Sequence, residues 1–101
     1  MKYYTIKMNN NDIYGVPAEI IASNYADFYA SKGEDYQENF DAMMYWFDSG
    51  SYEFADWARN NMDWDDVKEH AKLLKHGHAD PEYQDSWVCG EYRYINGANG
   101  D

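Results

Sequence analysis

A chain of 101 residues, 45% hydrophobic and 19% aromatic, is long enough for one modest core and too apolar for a disordered acidic tail. Nineteen acidic residues against eight basic ones leave a net charge of −11 at pH 7, which disfavours direct binding to nucleic acid or anionic lipid and favours a basic protein partner. Cys89 is the single cysteine, so an intramolecular disulfide is excluded and a reducing compartment is the default.

The opening MKYYTIKMNN has no long apolar stretch, and no segment approaches the roughly 18 apolar residues of a membrane span. It alternates roughly and is rich in Tyr, Ile and Thr; NNND and then IYGV follow, which predicts a β-hairpin. Pro17 marks a helix start, and Ile21, Tyr25 and Phe28 form an apolar stripe that ends at Gly33. A second helix is expected over EDYQENFDAMMYWFDSG, with Phe40, Met44 and Phe47 on one face and Gly50 closing it. Ser51 caps a third, which carries Phe54, Ala58 and Met62.

Next comes NNMDWDDVKEH. Asp63 is placed as an N-cap, Asp66 stands at N3, and Met62 to Val67 has the spacing of a hydrophobic staple. Trp64, Val67, Ala71 and Leu74 then predict a helix stripe stopped by Gly77. HGHADPEYQD reads as a loop, SWVCGEYRYI as a third strand and NGANGD as a mobile tail. The expectation is a single α+β domain over residues 1–96, with a tail at 97–101. In it a small antiparallel sheet, the hairpin plus the C-terminal strand, carries three to four short helices on one face.

Metal and catalytic chemistry find little support in the spacing. Asn61, Asp63 and Asp65 imitate the first positions of a calcium loop, but Asp66 stands where the turn needs Gly and Lys72 where the loop needs a bidentate Glu. His70, His76, His78 and Cys89 lack the short paired spacings of a zinc site, so no metal and no cofactor is expected. There is no Gly-rich phosphate loop, no nucleophile elbow, and no Ser or Cys with an assignable His and Asp partner. Cys89 reads as a small residue of an apolar strand, and the chain is expected not to be an enzyme.

The charge distribution is more informative. Between residues 27 and 66 there are eleven acids and only two cations, Lys32 and Arg59, so most of the net charge lies in the helical middle. Duplex DNA carries about one charge per 1.7 Å of axis, and a 12-residue helix is about 18 Å long, about ten phosphates' worth. Acids gathered on one helical face therefore approach the charge density of a short duplex. The alternative is that these acids only solvate the outer faces of a domain with no specific partner. Tyr36, Tyr45, Trp46, Tyr52 and Trp57 lie beside the acids, and Tyr and Trp are favoured interface anchors, which leaves a second alternative, a protein-binding module that docks through its aromatics without DNA mimicry.

The stretches VPAEIIASNYADFYA and DWARNNMDWDDVKEHAKLL, with DYQENF between them and YQDSWVCGEYRYI after, resemble a family of short acidic proteins encoded by bacteriophages and prophages. The shared pattern is a V-P-A-x-x-I-A-x-N-x-A-x-Y-Y-A start and a D-W-A-x-N-N-M-x-W-x-D-V centre. Phe28 replaces the usual Tyr, and NFDAMMYWF is more apolar than is usual. The resemblance carries no assigned activity. It implies a class of task, blocking host defence in the host cytoplasm as DNA-mimicking anti-restriction and anti-CRISPR proteins do. The expected partner is a basic nucleic-acid-binding host protein, a CRISPR–Cas or restriction component. The expected contact residues are Glu38, Asp41, Asp56, Asp63, Asp65 and Asp66 for charge, with Tyr52 and Trp57 as anchors.

Overall fold

A computed structural model describes residues 1–77 and 81–96. The chain runs β1 (Lys2–Lys7), β2 (Ile13–Pro17), α1 (Ala18–Ala30), α2 (Tyr36–Asp48), α3 (Tyr52–Asn61), α4 (Trp64–Val67), β3 (Lys72–Lys75), α5 (Tyr83–Cys89) and β4 (Glu91–Asn96). It is an α+β fold: one antiparallel sheet of order β3-β2-β1-β4 with helices packed against it. The expected hairpin is present, closed by a Met8 N–H to Asp12 carbonyl bond of 2.8 Å, with Asn11 at φ 74° in the turn.

Strand alternation sorts the sheet into two faces. Tyr4 pairs with Val16 and Tyr94, and Ile6 with Tyr14 and Tyr92; these residues point to the helices. Tyr4, Ile6 and Val16 are fully buried there with Ile21, Met43, Phe54, Val67 and Trp87. Tyr4 is the hub: its ring stacks on Tyr92 at 5.7 Å and meets Trp87 edge-on at 5.3 Å. Burial pushes its phenol above the usual tyrosine range.

The first three helices follow their sequence signals. Asp35 accepts the Glu38 N–H at 2.8 Å and so caps α2, Ser51 accepts the Glu53 N–H at 3.2 Å to cap α3, and Gly33 and Gly50, both at positive φ, follow α1 and α2. Pro17 is the last residue of β2 and the N-cap of α1, one position earlier than the first-turn place expected of it. In α2 the fully inward residues are Met43 and Phe47, while Phe40 and Met44 are partly buried against the core.

The chain departs from expectation after residue 67. The helix predicted to run on to Gly77 is a single turn, α4, and Lys72–Lys75 forms the edge strand β3, with Leu73 and Leu74 exposed rather than on a buried stripe. A short apolar run fits either period, and here pairing with β2 satisfies backbone groups that would otherwise be left at the sheet edge. The register is Gly15 to Lys72, Tyr14 to Leu73 and Ile13 to Lys75, so Leu74 is an extra residue in a bulge.

Of the expected 76–85 loop, residues 83–85 are the first turn of α5, and 78–80 lie outside the described residues. The strand expected from Ser86 begins only at Glu91; Ser86–Cys89 completes α5, because helical spacing sets Tyr83 and Trp87 on one side, against Trp64. Cys89 is therefore an exposed residue ending a helix, not part of an apolar strand. The tail expected at 97–101 lies outside the described residues.

Asp12 fastens β3 to the hairpin. Asp12 is buried, and its carboxylate accepts the Gly77 N–H and faces His76 Nδ1 at 3.5 Å. The Gly77 hydrogen bond, aided by Asn10 and His76, holds the carboxyl below its ordinary 3.8. A lowered folded pKa gives stability that is complete above the unfolded value and is lost as pH falls through the folded one. Acidification below about pH 4 is expected to release the 72–77 segment first. Amide exchange there should quicken before that of β1, and Asp12→Asn should show the faster exchange already at neutral pH.

Candidate functional site

Helix α3 carries Tyr52, Asp56 and Trp57, and side chains from distant elements fix it at both ends. A helix leaves its first four N–H and last four C=O groups without internal partners. At the N-terminus the Tyr94 hydroxyl accepts the Ala55 N–H at 3.0 Å and donates to the Ser51 carbonyl at 2.7 Å. Burial pushes this phenol up to about 12. At the C-terminus the Trp87 indole N–H donates to the Ala58 and Met62 carbonyls at 2.8 and 3.0 Å. Arg59 donates to the Gly90 carbonyl, and its guanidinium lies 5.1 Å from the Tyr92 ring centre.

So positioned, α3 presents Trp57 to α1. The Trp57 N–H donates to Asn24 Oδ1 at 2.9 Å, and its ring meets Tyr25 edge-on at 5.0 Å and tilts against Phe28 at 5.4 Å. Trp46 of α2 reaches the other side of Tyr25 at 5.9 Å, so one aromatic seam joins three helices. Acids border it. Burial first, then Tyr29 and the carboxylates of Glu34 and Glu53, raise the Tyr25 phenol. Asp27 lines a shallow cavity of about 390 Å³ with Asn24, Phe28, Trp57 and Asn61. Lys32 already lies over Phe28, 4.9 Å from its centre, so a face of this seam accepts a cation.

Trp57 is thus half-buried, with its rim open, whereas Tyr52 is 51% exposed and close to Tyr92 at 6.2 Å. Glu38 and Asp41 are exposed on α2, and Asp56 is exposed on α3 with the Asn60 amide bonded to it at 2.8 Å. Asp63, Asp65 and Asp66 form a separate group after α3. Asp66 accepts the Asp63 N–H at 2.8 Å, the Gln84 amide donates to Asp63 at 3.3 Å, and Asp65 pairs with Lys68 at 3.1 Å. Asp63 and Asp65 line a second depression of about 300 Å³ with Trp64 and Gln84. The expected contact residues therefore fall in two acidic regions, one along α2 and α3 and one at α4.

Sequence reasoning passed over Asn24, Tyr25, Phe28, Glu34 and Glu53. Spacing alone puts Tyr25 and Phe28 on an apolar stripe, and the signal that redirects them is Trp57, about thirty positions away, which only the fold brings near. Another cavity, of about 410 Å³, lies between the end of β1 and α5 and is lined by Lys7, Glu82, Asp85, Ser86 and Cys89 among others. Ser86 is engaged with the Asn9 N–H at 3.0 Å, and among the described residues no hydrogen bond links Cys89 to a base, so the cavity assembles no nucleophile pair. Among the described residues there is also no group of three His, Cys, Asp or Glu placed to hold a metal, and no helix is long and apolar enough to cross a membrane.

No protein-family model matches the chain, and no curated protein or solved structure matches it either.

Proposed function

We propose that this chain is a non-enzymatic, phage-encoded inhibitor that acts in the host cytoplasm, docking its acidic helical side on the basic nucleic-acid-binding surface of a host defence complex of CRISPR–Cas or restriction type. The observation that carries the reading is the aromatic seam of Tyr25, Phe28 and Trp57 with Asp27, Glu34 and Glu53 at its margin. Aromatic rings beside carboxylates suit arginine and lysine side chains, which gain a ring face and a counter-ion together. Glu38 and Asp41 on α2, Asp56 on α3 and, in the separate group at α4, Asp65 are exposed acids that steer the approach of a cationic partner. The choice of a defence complex as target rests on the sequence resemblance to short acidic phage proteins.

The test has two stages. Cells carrying an active CRISPR–Cas or restriction system and expressing this chain should plate a targeted phage far better than cells without it. With the purified complex, inhibition should compete with DNA and weaken about tenfold or more between about 0.1 and about 0.5 M salt. Asp56→Lys with Asp65→Lys should remove the competition. Loss on Trp57→Ala alone, with DNA binding by the target untouched, would reassign the contact to aromatic docking without mimicry. Absence of protection against every system tried would remove the reading.

A further inference from the structure

The sheet face turned away from the helices has the opposite charge to the rest of the molecule. Lys7 pairs with Ile13 and Glu91, and Thr5 with Gly15 and Arg93, so these positions share the outer face, and the side chains of Thr5, Lys7, Ile13, Glu91 and Arg93 line one shallow depression of about 190 Å³. Lys72 and Lys75 pair with Gly15 and Ile13 and extend this face across β3. Four of the eight basic residues of a chain with net charge −11 therefore stand on a single face, with Glu91 the one acid at the paired positions.

The other four cations are already used: Lys2 pairs with Asp48, Lys68 with Asp65, Arg59 binds the Gly90 carbonyl, and Lys32 lies over Phe28. Among the described residues no ion pair engages Lys7, Lys72, Lys75 or Arg93. Between them lie Thr5 and three apolar side chains: Leu74 and the Tyr3 ring close over Gly15, and Ile95 on β4 stands beside Tyr3.

We infer that this basic, apolar-centred sheet face docks the acidic helical side of a second copy of the chain. A single-stranded nucleic acid fits less well, because such sites stack bases on exposed rings, and Tyr3, the aromatic residue at the paired positions of this face, is only 7% exposed. An acidic protein surface needs only cations around an apolar centre, and the chain carries such a surface on its opposite side. The two patches are different and non-overlapping, so the contact is head to tail and builds rings or chains rather than closing at a pair.

The geometry also dictates an unusual salt response. At about 10 mM salt the screening length, about 30 Å, exceeds the 22 and 27 Å short dimensions of the molecule, so each copy feels the full like charge of the other. At about 150 mM it falls to about 8 Å and only the facing patches interact; at about 1 M, with about 3 Å, these are screened as well. Association rises and then falls with salt.

Sedimentation velocity over a concentration series should show assembly greatest near about 150 mM salt and weaker by about tenfold at either extreme. Lys7→Glu with Arg93→Glu should be monomeric throughout, as should Asp41→Lys with Asp56→Lys and Asp65→Lys; all these positions are exposed, and circular dichroism checks that each variant folds. Mixing the two variants should restore association, since each supplies the patch the other lacks. A wild-type chain that is monomeric at every salt, or a mixture that does not pair, would overturn the inference. Binding of a fluorescent oligothymidylate that is lost in Lys7→Glu with Arg93→Glu would instead make the face a nucleic-acid site.

Discussion

Replacing Trp87 by Ala is expected to cost about 3–5 kcal/mol, the range for deleting a buried aromatic side chain, against a total of about 5–15 kcal/mol for a small domain. Two effects combine. The side chain is fully buried and meets Tyr4 at 5.3 Å and Trp64 at 6.3 Å, so its loss opens a cavity where β1, α4 and α5 converge. Its N–H also serves the Ala58 and Met62 carbonyls, which a smaller residue leaves without that donor. Trp87→Phe separates the two, keeping most of the apolar volume and losing only the donor, at about 1–3 kcal/mol. Urea unfolding of the three proteins gives both numbers. A Trp87→Ala protein as stable as wild type would show that the α3 C-terminus does not depend on the indole.

Gly90→Ala is expected to be nearly as damaging, at about 3 kcal/mol, the upper part of the overpacking range. The reason is space and not torsion, because Gly90 has φ −71°, which any residue adopts. An added methyl group would press on the carbonyl oxygens of Ser86 and Lys7 and lie 3.2 Å from Ile6 Cδ1. The first oxygen belongs to the end of α5 and the second to β1, so neither yields without moving an element. The Gly90 carbonyl is also the acceptor for Arg59, so a shift there loosens α3. A midpoint in thermal unfolding lower by about 10 °C or more is expected for a domain of this size. Gly33→Ala is the useful contrast: nothing lies within 4 Å of an added methyl there, and its cost comes from the φ of +91° alone.

Much of the first two thirds of the fold was legible because its signals are local. NNND between two short apolar runs marks the hairpin, Ser51 caps α3, and Gly33 and Gly50 close the helices before them. What was not legible depends on partners far away in sequence. AKLLK carries a helix-like spacing, and only the open edge of β2 makes it a strand. SWVC is rich in strand formers, yet Trp87 reaches the carbonyls of α3 only from a helix. The candidate site divides in the same way. The density of acids between residues 27 and 66 could be read directly, as could the helix-starting role of Asp66, whereas the seam joining Tyr25, Phe28 and Trp57 could not. The cations of the outer sheet face escaped notice for the same reason: Lys7, Lys72, Lys75 and Arg93 come from three strands and share a face only through the strand register.

The bulge at Leu74 has a consequence for how copies of this chain meet one another. An exposed edge strand offers a row of free backbone groups, a template on which another chain can lengthen the sheet and start a fibril. Here β3 has only four residues, is kinked by its extra leucine, and is bracketed by Lys72 and Lys75, three features that blunt such an edge. One margin of the sheet is thereby closed to strand-on-strand growth, so a protein dense with tyrosine is guarded on that side against irreversible stacking.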